Sequence, residues 1–205
     1  MTYRGDDAVT RPESGTGTGT GTQNEPRTGP DAGPGAGVTD PDAEIRALLS
    51  CLDGQRRHVL EMVGGLDADA LRRPVLPSGW SCLGLVQHLA LDVERFWFGA
   101  VFAGDRAVIA ALDEIDDAWQ VAPGVTGTEV LDRYRAETEL ANAVVVAAAD
   151  AGAPLAWWPR ELFGEPHLHT LRDVLLHVIA ETACHAGHLD AARELIDGRQ
   201  WLVLT

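Results

Sequence analysis

Glu181 and His185, four residues apart in TLRDVLLHVIAETACHAGHLDAARELIDG, are the side chains best spaced for chemistry. On a helix turning about 100° per residue, they present an oxygen and a nitrogen on one face, about one turn apart. Val174, His185 and Ala192 then lie within about 40° of Glu181. Leu171, Val178, Leu189 and Ile196 border them on one side, and His177, His188 and Leu195 on the other. Arg172, Asp190, Glu194 and Asp197 take the opposite face, so the stripe through Glu181 and His185 is the one expected to be buried. An ionised carboxylate in a core is costly without a partner. A divalent metal is one partner that would hold both groups, and inward Glu and His side chains on facing helices build such bundle sites. A hydrogen-bonded core network or a Glu–His⁺ ion pair are the alternatives.

A third ligand must come from another helix. Among the seven histidines, His88 is the candidate, lying mid-helix in LGLVQHLALDVERFWF. Leu83, Val86, Ala90, Val93 and Trp97 face away from it, while Leu85, Leu89 and Phe96 flank it beside Asp92 and Arg95. That helix is apolar on both sides, compatible with a sandwiched helix or a dimer contact, and its pattern leaves open which side faces a metal. His58 and His169 are expected to be exposed, and His167 to sit in a loop. His177 belongs beside the site or at the solvent face, and Cys184 is expected as small packing.

The elements that must position these residues are helical. Asp40-Pro41 offers an N-cap and a first-turn proline for a helix over about 40–66, ended by Gly64-Gly65. One turn precedes Pro74, and Ser81 can cap a second long helix to about 103. A short helix is expected within DRAVIAALDEIDDAW. Thr126 with Glu129 and Thr170 with Asp173 are capping-box patterns opening helices over about 127–151 and from about 170 to Ile196. No strand alternation of useful length and no repeat occurs. The expected fold is all-α, a four-helix bundle with crossover connections, the Trp- and Pro-rich stretch 152–169 lying across one end. Residues 1–38, rich in Gly, Thr and Pro, read as a disordered tail, leaving 39–205 as the metal-binding bundle domain.

A net charge of −15 argues against nucleic acid and against an anionic membrane surface. No signal segment and no long apolar run is present, and Cys51, Cys82 and Cys184 contain no C-x-x-C pair. A cytoplasmic protein with reduced cysteines is expected.

The segments PSGWSCLGLVQHLALDVERFWFG and TLRDVLLHVIAETACHAGHLDAARELIDG resemble the DinB-like superfamily, closest to its actinobacterial branch of mycothiol-dependent S-transferases and maleylpyruvate isomerase. The likeness covers about residues 40–198. It implies a four-helix bundle with a His, Glu, His metal triad, usually zinc, whose members map to His88, Glu181 and His185. Many relatives have His where Glu181 stands, and His188 occupies a position that often carries Gln. The isomerases add a C-terminal domain, whereas this sequence runs to Thr205, so isomerase activity is not expected.

Two imidazoles, one carboxylate and an open position describe a catalytic rather than a closed zinc site. The expected function is a thiol S-transferase, in which a low-molecular-weight thiol such as mycothiol is deprotonated at the cation and attacks an electrophilic small molecule. His188 and Asp92 are expected beside the ligands, and Trp80, Trp157 and Trp158 as pocket walls. The rivals are a non-haem iron enzyme, which shares the ligand set, and a non-catalytic metal-stabilised bundle that binds or dimerises. Nickel or iron in place of zinc is compatible with the same ligands.

Overall fold

The computed structural model describes residues 41–112 and 117–201. The expected N-terminal tail and the Asp40 cap lie outside these residues. Four long helices carry the architecture: α1 (Pro41–Val63), α3 (Cys82–His88) continued directly by a π-helical segment (Leu89–Phe102), α5 (Gly127–Ala148) and α7 (Leu171–Asp197). Three short helices, α2 (Ala68–Arg72), α4 (Arg106–Ala110) and α6 (Arg160–Phe163), lie in the connections. α2 and α4 fall where the short helices were expected. α6 lies inside the Trp- and Pro-rich stretch, where four residues are too few to show a period.

The caps follow the sequence. The Ser81 hydroxyl accepts from the Gly84 N–H, and Thr126/Glu129 and Thr170/Asp173 form complete capping boxes. α1 stops at Val63 as the chain turns through Gly65, whose φ of 77° suits glycine. α5 ends at Ala148 rather than near 151, because Ala149 adopts the left-handed conformation.

α1 packs mainly along α7, and the π segment mainly along α5. Both pairs run parallel. Glu44, His58 and Met62 of α1 meet Arg172, Asp190 and Arg193 of α7 in the same order. Leu83 lies beside Gly127, and the charge of Arg95 acts on Glu137 one stage further along. Parallel neighbours cannot be joined by tight turns, so the long connections cross the bundle as expected. The crossover before α7 is pinned by backbone. Ala156 and Trp157 N–H groups donate to the Phe102 and Val101 carbonyls, and Leu171 and Arg172 N–H groups donate to Ala153 and Ala151. The first two bonds satisfy carbonyls that the end of the π segment would otherwise leave unpaired.

One core runs through the bundle, with Leu52, Val59 and Met62 of α1 meeting Leu85, Leu89 and Phe98, Tyr134 of α5, and Leu175 and Leu189 of α7. Both apolar sides of the His88 helix are covered inside this chain. Its double apolarity therefore reflects a central position in the bundle and does not require a second copy.

Arg56, Glu94 and Arg193 are charged side chains buried with partners. Arg56 of α1 makes a two-pronged pair with Glu94 of the π segment, at 2.7 and 2.6 Å, and also donates to Asp53 and Asn142. Arg193 of α7 donates to the Met62 and Gly64 carbonyls at 2.8 Å, placing a cation at the negative end of α1.

Candidate metal centre

His88 is the last α-helical residue before the hydrogen-bond pattern widens from i−4 to i−5. π-helical turns recur at functional sites because they redirect side chains within a helix. Asp92, in the first π turn, lies four residues on from His88, and its Oδ2 lies 2.8 Å from His88 Nδ1. A carboxylate only accepts, so Nδ1 carries a proton, and the neutral form of the ring presents its lone pair at Nε2. That Nε2 is buried with no hydrogen-bond partner.

α7 supplies the other two groups. Glu181 Oε1 and His185 Nε2 are 3.1 Å apart, and the His88 and His185 rings meet edge to face at 5.1 Å. The hydrogen bond from His185 holds the Glu181 carboxyl below its ordinary range, against burial, with His177 and His88 adding to the pull. His88, Glu181 and His185 each offer one donor atom, and the three atoms lie within 4.8 Å of one another. Ligands about 2.0–2.2 Å from a tetrahedral zinc stand roughly 3.4 Å apart, so modest side-chain rotation closes this set on one ion. An orphaned imidazole nitrogen beside an anionic oxygen and a second imidazole is the donor chemistry a divalent cation requires.

His188 and Trp80 lie beside the triad. His188 Nδ1 is 3.4 Å from His185 Nδ1, and the Trp80 ring lies 6.1 Å from that of His188. His188 is exposed, so it sits at the mouth. Trp158 packs elsewhere, against Trp97, Phe163 and His167. Trp157 lies against Phe96. The half-buried His177 meets Trp97, and burial depresses its imidazole below the ordinary range.

Trp119 lies directly against the site, stacked on His88 at 4.2 Å and 19° and edge-on to His185 with ring centroids 5.6 Å apart. It lies in an aperiodic connection that gave no signal for placing it. Two α3 residues hold that connection down. The buried Gln87 amide donates to the Ala118 and Gln120 carbonyls at 2.9 and 3.3 Å. Gly84 lets the backbone come close, since a Cβ there would stand 2.2 Å from the Trp119 carbonyl oxygen. Gly84→Ala is therefore expected to push Trp119 off His88 and destabilise the fold by about 1–3 kcal/mol, as overpacking does. Tryptophan fluorescence and urea melts read both effects, and an unchanged spectrum and midpoint would refute the close approach.

Other polar residues fall differently from expectation. Cys184 is exposed rather than packed, while burial pushes the Cys82 thiol up to about 11. His58, expected to be exposed, pairs with Asp190 at 2.7 Å and stacks on Trp201. His169 is exposed and His167 lies exposed in a loop, both as expected.

A family model described as mycothiol S-transferase matches residues 47–198, from within α1 to the Gly198 cap of α7. The chain belongs to this family. The mycothiol S-transferase match spans all three triad residues and both segments that carried the DinB-like resemblance. No curated protein matches the chain. No helix among the described residues is long and apolar enough to cross a membrane.

Proposed function

We propose that this chain is a metal-dependent S-transferase that activates a low-molecular-weight thiol, mycothiol by family, for attack on an electrophilic small molecule. His88, Glu181 and His185 hold one divalent cation, zinc before nickel or iron, in a single domain over 39–205 working in the cytoplasm. The observation that carries the metal reading is the buried, partnerless Nε2 of His88 beside Glu181 and His185. Family membership carries the thiol.

The cation's contribution is to favour thiolate over thiol at neutral pH. The protein's own groups prepare that site. Asp92 fixes the His88 tautomer and ring angle, and His188 is placed to do the same for His185. Trp119 closes the face of the His88 ring against water. Glu181 supplies one negative charge, leaving a cation in the triad with net positive charge to attract a thiolate.

Mixing tag-free, metal-loaded protein with an electrophile and either mycothiol or glutathione tests this reading. Faster conjugation of mycothiol is the expected result. If metal removal lowers the melting temperature while neither thiol reacts or protects, the bundle binds metal for stability alone.

Asp92→Asn keeps a hydrogen-bonding side chain but loses the charge that fixes the ring. Metal affinity should fall about 10–100-fold with helicity retained. Competition against a chromophoric chelator measures it, and wild-type affinity would detach Asp92 from the site.

A further inference from the structure

A cavity of about 330 Å³ has in its wall Asp92, the partner of His88. Phe96, Leu112, Leu162 and Phe163 supply its apolar wall, and Asp92 and Asp117 its acidic groups. Asp92 also holds His88, and the lining residue Ala118 precedes Trp119, so the cavity adjoins residues that support the candidate metal centre. Its size lies at the small end of ordinary ligand pockets. Among the described residues, no lysine, arginine or histidine lines it.

Its outer wall comes from α6. Leu162 and Phe163 are 68% and 44% exposed, an unusual amount of apolar surface for one helical turn. Phe163 is nevertheless held in place, stacked on Trp97 at 5.7 Å and 16°. The Trp158 indole closes the turn by donating to the Gly164 carbonyl at 3.0 Å. A rigid aromatic edge left open to solvent suits a planar apolar ligand that covers it.

We propose that this cavity is the electrophile site, and that it selects uncharged apolar or aromatic electrophiles over anionic ones. The inference rests on the S-transferase reading. The apolar wall binds the electrophile's body, and Asp92 and Asp117 repel a carboxylate on it. With chlorodinitrobenzene as the probe, the thiolate sulfur bonds to the chlorine-bearing ring carbon. The carbon–chlorine bond breaks, chloride leaves with the bonding pair, and the thiol proton passes to solvent.

Steady-state kinetics with mycothiol, comparing chlorodinitrobenzene with its ring-carboxylated analogue, provides the test. Metal-loaded wild type should turn over the neutral compound with at least about tenfold higher kcat/KM. Phe163→Ala should raise KM for chlorodinitrobenzene about tenfold, leaving metal content and KM for mycothiol unchanged. Leu162→Ala should do the same more weakly. Asp117→Asn keeps the acceptor for the Trp119 N–H and should improve kcat/KM for the carboxylate alone. Equal use of both electrophiles by wild type, or no change of KM in Phe163→Ala, would overturn the proposal. If no thiol is conjugated to any electrophile, the S-transferase reading fails by itself. Unreactive dinitrotoluene should still bind the folded protein and bind more weakly to Phe163→Ala, and absence of that binding would overturn the cavity's assignment.

Discussion

His185→Ala is expected to lose its bound divalent metal while keeping nearly all of its helicity. The imidazole is one of two nitrogen donors, and its removal leaves His88 and Glu181 on different helices with no shared third group. Changes to residues that merely orient a ligand already cost about 10–100-fold in metal affinity, so loss of a ligand should cost more. Glu181 would also lose its 3.1 Å hydrogen bond from His185. The cavity left by the ring lies near the mouth of the site, where water can enter, so the fold should survive. Elemental analysis with far-ultraviolet circular dichroism gives both readings on one sample. Wild-type metal content in this variant would remove His185 from the triad.

Arg56→Met should be the most destabilising single change in the bundle. Glu94 has no exposed side-chain surface, and Arg56 engages both its oxygens. Burial already pushes the Glu94 carboxyl up from its ordinary range, with Arg56 pulling the other way. Taking away one partner of such a pair costs about 3–5 kcal/mol, because a charge is left buried and unpaired. The same principle predicts that Arg56→Met combined with Glu94→Leu recovers most of the loss. Urea denaturation of the two variants decides it, and a single variant within about 0.5 kcal/mol of wild type would show the pair to be dispensable.

The same pair marks where the sequence stopped being legible. The cost of burying a carboxylate pointed to Glu181, yet the Glu181 side chain is 38% exposed and the deeply buried carboxylate is Glu94. Glu94 escaped notice because it lies in the π segment, where widened turns break the rule of about 100° per residue. His88 was undecidable from its own helix for a related reason. That helix is buried on nearly every side, so its pattern has no polar face to orient it. α7 was readable because it is a regular helix with a wet side, and its capping box and Gly198 stop are both local signals. Glu181 and His185 could therefore be placed from periodicity, while His88 needed the family resemblance. Trp119 was out of reach of either route. Its position depends on the Gly84 contact and the Gln87 hydrogen bonds, which join segments about 30 residues apart, as in the Gln87–Ala118 bond. α6 was likewise hidden, a single turn defined by tertiary contacts rather than by period.

If His88, Glu181 and His185 hold one metal for thiol transfer, activity must follow metal occupancy. Chelator-stripped, tag-free protein is supplied with increasing equivalents of zinc, and mycothiol consumption with an electrophile is followed at each point. No conjugation above background is expected in the stripped protein, with a rate that rises linearly to a break at one equivalent. Stripped protein that conjugates mycothiol as fast as the loaded protein would contradict it.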